Sequence, residues 1–244
     1  MYIHVERMQP NNPRPHLERR ERKTKAAQAE ATRSVILEVA EQLFAERGYA
    51  GAPADDVADY AGVTRGALQH HFGDKRGLFR AVAARVSDRL LSRIVAATSR
   101  EQIDALQAVE AGCLAYLDAC TDPATNRILF QDAPSVLTPA EIDGLSISAG
   151  SGLLVSGIEK AIHDGFIDAV SAEALACMLL GALNCAGLEI ARSAKAKATH
   201  RAYSQLLSRL LRGLRPDRGV GAPGSRTPAG EPSRRRRAAG SSRS

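Results

Sequence analysis

The order of residue sizes between Val57 and Phe72 constrains this chain most. A small residue at Ala58, glycine at Gly62 and apolar residues at Val63 and Leu68 describe two short helices crossing steeply through a tight turn. Ala58, helped by Ala61, lets the helices approach. Gly62 accepts the positive φ that the turn demands, and Val63 and Leu68 fill the angle between the helices. A helical hairpin inside a bundle would show the same spacing. The second helix, however, opens Thr64-Arg65-Gly66-Ala67, a hydroxyl, a charged donor and two residues too small to hold a duplex away, which suits a helix N-terminus entering a major groove.

Helical signals surround this pair. Val35, Ile36, Val39, Ala40, Leu43 and Phe44 recur at three and four and predict a helix over 31–47, with Gly48 as a left-handed C-cap. A second helix is expected over 54–61, with Asp55 and Asp56 favouring its dipole, and a third from Thr64 to His71 or Phe72. Asp74 would cap a fourth, from Lys75 to about Ala97. Longer helices are expected over 101–120, 123–132, 138–163, 171–193 and 198–213, separated by prolines and Gly165. With 4% aromatic residues, no Trp and 44% hydrophobic residues, the composition is that of an all-α protein with a sizeable core.

The net charge of +6 is unevenly placed. Residues 1–30 and 215–244 are basic and rich in proline and polar residues, and they read as a flexible basic arm and a disordered basic tail. Residues 101–214 are acidic, so a nucleic acid would be drawn to the N-terminal half and the tails. Residues 31–80 themselves carry 6 basic and 7 acidic side chains. Any DNA contact there must rest on a few placed donors. The stripe Arg85, Arg89 and Arg93 reads as a solvated face rather than a second contact surface.

The frame ILEVAEQLFAERGYAGAPADDVADYAGVTRGALQHHFGDKRGLFRAV, above all AGVTRGALQHHFGDKRGLF, resembles the TetR family of transcriptional regulators. The resemblance covers about fifty residues, and beyond Val82 it is architectural only. It implies an N-terminal three-helix helix-turn-helix domain at 31–80, a connecting helix at 81–100 and a helical ligand-binding and dimerisation domain at 101–214. Arg65, Gly66, Ala67 and His70 match recognition positions facing base edges, with Arg65 suited to guanine and Ala67 to a thymine methyl. Thr64, His71 and Lys75 match positions that grip phosphates. Two residues depart from the family pattern. Gln69 stands where a tyrosine is usual and can donate to a phosphate or read adenine, and Ala52-Pro53 stands where a capping threonine is usual. The basic arm, with Arg19, Arg20, Arg22, Lys23 and Lys25, would compensate for a lost phosphate contact.

The resemblance also implies a homodimer through the helices at about 171–193 and 198–213, a pseudo-palindromic double-stranded DNA operator, and repression relieved by a small-molecule effector. Leu175, Met178, Leu179, Ala182, Leu183 and Ala186 make an apolar stripe, with Gly181, Ala182, Cys185 and Gly187 permitting close approach of a second helix. Candidate effector contacts are Cys113, Tyr116, Leu117, Cys120, Phe130, Phe166, Met178 and Asn184; Tyr116 and Asn184 either orient a ligand or satisfy one another. The four cysteines form no CxxC pair and His163 with Asp164 completes no ligand set, so neither a metal nor a cofactor is expected. Cys113, Cys120, Cys177 and Cys185 lie in apolar helical pattern, and the polar, proline-containing start shows no secretory signal, so the reducing cytoplasm is expected, with a redox switch left open. The stretch Ala174–Leu188 is short for a membrane span and contains Asn184, so no membrane partner is expected. No phosphate loop, GxSxG, HExxH or paired-carboxylate frame argues for catalysis. A helical adaptor that does not bind DNA is the remaining alternative.

Overall fold

The computed structural model describes residues 15–216, and every regular element among them is helical. The first helix, α1 (Pro15–Gly51), begins well before the expected Ala31. Residues 16–32 lack glycine and proline and are rich in Ala, Glu, Lys and Arg, so the strongest helix formers continue the element, and Pro15 suits its first turn. The arm expected over 1–30 is therefore helix from Pro15 onward, and its first fourteen residues lie outside the described residues, as does the expected tail from 217.

Helices α2 (Ala54–Ala61), α3 (Arg65–Phe72) and α4 (Lys75–Thr98) fall where the sequence puts them. Gly62 caps α2 in the left-handed conformation, φ 66° and ψ 30°, and Val63 N–H donates to Ala58 O at 3.0 Å. Thr64 and Asp74 cap α3 and α4 through Ala67 N–H and Gly77 N–H. Phe44, Val57, Leu78, Phe79 and Val82 are fully buried where α1, α2 and α4 meet, and Leu68 anchors α3 beneath them.

Helix α4 continues into the second domain and packs on α5 (Ala105–Ala119), around which α9 (Ser146–His163), α10 (Ala172–Arg192) and α11 (Ala196–Arg212) gather. Gly187 of α10 is buried against α5, where an added Cβ would lie 2.9 Å from Cys120 Sγ. Its small size serves packing within the subunit rather than contact with a second copy. The apolar stripe of α10 divides accordingly: Leu179, Leu183 and Ala186 are buried, whereas Met178, Gly181, Ala182 and Cys185 face outward. By length and composition α10 could cross a membrane, but Ala176, Leu179, Leu183 and Ile190 place one of its faces in this bundle's core.

Two of the expected long helices are broken. Residues 123–132 form a short turn, α6 (Pro123–Thr125), followed by a π-helical segment, Asn126–Asp132, which continues into α7 (Ala133–Val136). Gln131 Nε2 donates to Asn126 Oδ1 at 2.8 Å and Arg127 Nε to Asp132 Oδ2 at 3.3 Å, both across five residues, the spacing that a π-turn stacks. The expected helix at 138–163 splits into α8 (Pro139–Asp143) and α9. Thr138 and Glu141 form a capping box for α8, and Gly144 with the extended Leu145 separates the two.

The two domains are fastened at three places. Glu41 of α1 accepts from Arg89 at 2.8 Å and lies 3.7 Å from Arg85, which also pairs with Glu38, so two members of the arginine stripe are tied to α1 rather than free in solvent. Glu141 receives Arg76 and Arg80 from α4, and Arg76 Nε also donates to Val136 O at 3.1 Å. Tyr49 N–H donates to Asp132 Oδ2 at 2.7 Å, just after Gly48 leaves helical geometry at φ 72° and ψ 172°. Gly48 thus has the expected positive φ but not the left-handed cap conformation. It kinks α1 beneath the guanidinium of Arg127, which a Cβ would meet at 2.0 Å.

A φ of 72° with an extended ψ is nearly exclusive to glycine. Gly48→Ala should cost about 2–3 kcal/mol in urea unfolding, against about 1 kcal/mol for Gly62→Ala, whose Cβ meets open space. Equal losses would contradict the account of the kink. A second expectation concerns acid. The amide and hydroxyl of Thr138, then Arg76 and Arg80, hold the Glu141 carboxyl at about 2. A depressed folded value stabilises above the unfolded value, so this contribution is complete above 4.5 and is lost as pH falls from there to about 2. Glu141→Gln should flatten that part of the stability profile, and an unaltered profile would rule the clasp out as its source.

Candidate DNA-binding site

The outward face of α3 is set by what its inward face buries. Leu68 is 3% exposed and Phe72 is half-buried beneath the Arg33 guanidinium, 4.9 Å from its ring. That anchoring turns Arg65, Gly66, Gln69 and His70 to solvent on one side, with Ala67 and His71 at its margins. Thr64 Oγ1 accepts from Ala67 N–H at 3.1 Å, so it serves as the cap while its hydroxyl proton stays available as a donor. His70 and His71 lie in the last turn of α3, where a positive charge suits the dipole, with ring centroids 5.6 Å apart.

Two acidic residues at the start of α2 have specific partners. Asp55 pairs with Arg65 at 3.4 Å, and Asp56 with Arg47 at 3.0 Å. Arg47 also reaches toward the Tyr60 hydroxyl. The Arg65 pair is exposed, so it adds little stability and can be exchanged for another acceptor at small cost. Sequence reasoning gave Asp55 and Asp56 to the helix dipole alone and missed these pairs. The signal was an acidic residue one helix away from each arginine, which becomes legible only once the crossing geometry is known.

Lys75, in the first turn of α4, is half-buried with Nζ 4.5 Å from the Tyr49 ring centroid and 3.5 Å from Ala50 O. Burial pushes its ammonium down from the usual lysine range, and among the described residues no carboxylate pairs with it. It remains available for an external anion.

In the second domain a cavity of about 810 Å³ opens between α4, α5, α9, α10 and the π-helical segment. Of the residues singled out from sequence, Cys113, Tyr116, Phe130 and Asn184 line it. Leu117 and Cys120 are buried outside the lining, Phe166 lies under Arg215, and Met178 is 74% exposed. Tyr116 donates to Asn184 Oδ1 at 2.6 Å, so these two polar groups do satisfy one another at the cavity wall, and Tyr116 stacks edge-on against Phe130. Lys160 and Asp143 bring charge to an otherwise apolar lining with several serines. Desolvation pushes the Cys113 and Cys120 thiols up to about 12, which leaves both as unreactive thiols near neutral pH. Among the described residues no group of His, Cys, Asp and Glu could hold a metal.

Comparison with known proteins agrees with both halves. Residues 36–82 match the family of bacterial regulatory proteins of the tetR type, and residues 106–214 match a tetracycline repressor-like C-terminal domain. The HTH-type transcriptional repressor BepR of Brucella suis is 35% identical over 109 residues, which is 45% of this chain and 52% of BepR. The chain thus matches about half the length of such curated relatives. A TetR-family transcriptional regulator from Pectobacterium atrosepticum is 33% identical and superimposes with a TM-score of 0.67 over 78% of this chain and 96% of its own. The regulator AibR, solved with isovaleryl coenzyme A and operator DNA, shares the fold at 19% identity and a TM-score of 0.59, over 74% of this chain and 98% of its own. The chain belongs to the TetR family of helix-turn-helix transcriptional regulators.

Proposed function

We propose that the protein is a homodimeric repressor that binds a pseudo-palindromic operator and is released when a small molecule fills the cavity of its second domain. The observation that carries this reading is the outward face of α3, where Arg65 stands beside Gly66 and Ala67 on a helix fixed from below by Leu68. Arg65, Gly66, Ala67 and His70 read base edges, and Thr64, His71 and Lys75 take phosphates, with Gln69 serving either role. The basic residues before Ala31 add backbone contacts that do not depend on sequence.

Two copies meet through α10 and α11. Met178, Leu206 and Leu210 are 74%, 52% and 57% exposed, an apolar surface that a single subunit leaves in water. A second copy placed there by a two-fold axis would set two recognition helices against successive half-sites. The effector occupies the cavity beside Tyr116, Phe130 and Asn184, and it acts by favouring a conformation in which the spacing of the two α3 helices no longer fits the operator. AibR, with both an acyl coenzyme A and operator DNA bound, shows what this fold accommodates in a relative. Such a regulator works in the cytoplasm, where its DNA is.

Selection from genomic fragments by the purified protein should yield a two-fold symmetric site bound by a dimer. Arg65→Ala should relax discrimination at one base pair per half-site by about 1–3 kcal/mol. Removing residues 1–25 should instead weaken all sequences alike and reduce the salt dependence. Recovery of fragments without a common motif would favour the adaptor and sink the regulator reading. Equal loss on operator and random DNA for Arg65→Ala would remove α3 as the reader.

A further inference from the structure

The Gly48 kink, the π-helical segment and Lys75 form one connected unit, although they lie far apart in sequence. Asp132 closes the π-helical segment, is 14% exposed, and accepts through a single oxygen from both Arg127 Nε at 3.3 Å and Tyr49 N–H at 2.7 Å. A carboxylate so placed needs these donors, and it holds Tyr49 where α1 has just left helical geometry. Above the held backbone, the Tyr49 ring packs edge-on against Phe79, with centroids 5.1 Å apart, and tilts against Phe44 at 6.1 Å. Its face carries the Lys75 ammonium at 4.5 Å, and Ala50 O, one residue on, accepts from the same ammonium at 3.5 Å. Both groups that seat Lys75 therefore belong to the short stretch that Asp132 pins.

We propose that Asp132, braced by Arg127, is a positioning residue for DNA binding: by fixing the Gly48–Tyr49 kink it seats Lys75 for its phosphate. This rests on the reading of Lys75 as a phosphate ligand. The alternative is that Asp132 merely ties the domains together. The two differ in a measurable way, because a residue acting through Lys75 has nothing further to lose once Lys75 is gone.

The test is a double-mutant cycle on the full chain, with the operator recovered by selection and affinity measured over a salt series alongside thermal melts. Lys75→Ala should weaken binding on the order of ten-fold or more and lower the log–log salt slope by about two, one for each subunit of the dimer. Asp132→Ala should do the same, the double variant should bind no worse than Lys75→Ala alone, and Asp132→Asn, which keeps an acceptor for Tyr49 N–H, should recover most of the loss. Multiplicative losses in the double variant would overturn the proposal. So would an Asp132→Ala loss with an unchanged salt slope, or an Asp132→Asn variant as weak as Asp132→Ala. Full affinity in Lys75→Ala would sink the phosphate role of Lys75 itself, and this proposal with it. Should Asp132→Ala fail to fold, Arg127→Ala, which unbraces the same carboxylate, enters the same cycle with the same expected and overturning results.

Discussion

The edge-to-face contact of Phe44 with Phe79, 5.2 Å between centroids and fully buried on both sides, fastens α1 to α4, and the rest of the structure hangs on it. Each ring contributes about 1.5–3 kcal/mol of burial, and the pair geometry adds to that. The contact also fixes direction. Helix α4 leaves the DNA-binding domain from this point and becomes a wall of the second, so its orientation at Phe79 determines where Ile94 and Thr98 meet the cavity. Both domains therefore share one helix, and a rotation of either about it would disturb the aromatic cluster completed by Tyr49.

Electrostatics divides the molecule in a second way. The helix-turn-helix half has no surplus of positive charge, and several of its carboxylates are paired locally, Asp55 with Arg65, Asp56 with Arg47 and Glu41 with Arg85 and Arg89. Such a surface would attract DNA weakly at long range, and in the proposed function short-range contact falls to Arg65, once it leaves Asp55, and to Lys75 with the neighbouring histidines. On the proposed reading, sequence discrimination falls to α3 and raw attraction to the basic residues before Ala31.

The crossing of α2 and α3 was legible from the order of residue sizes alone, because Ala58, Gly62 and Leu68 leave few other packings. Caps at Thr64 and Asp74 were legible because a side-chain oxygen just before each helix can accept from its first-turn N–H groups. The extended α1 was misjudged because charge clustering and a proline-rich start suggested an arm, whereas the Ala/Glu/Lys/Arg run after Pro15 sustains a helix. The break at Gly144 was hidden by apolar periodicity resuming on either side of it. About a third of the cavity lining came from α9 and the loop before it, whose serines and glycines carry no pattern that distinguishes lining from solvent. The Asp132–Tyr49 contact spans 83 residues, and no local rule reaches that far.

The π-helical segment has a consequence for how the chain can change over time. Geometrically it equals an α-helix into which one residue has been inserted, and it is held in that state by the pairs Asn126–Gln131 and Arg127–Asp132. Losing one residue here would restore an ordinary helix and turn everything on one side by about 100°, carrying Phe130 from the cavity wall or Asp132 from the kink. Chain length in this short stretch is thus as constrained as residue identity, and lineages that share the fold but carry one residue fewer between Asn126 and Asp132 must line the cavity with a different set of side chains.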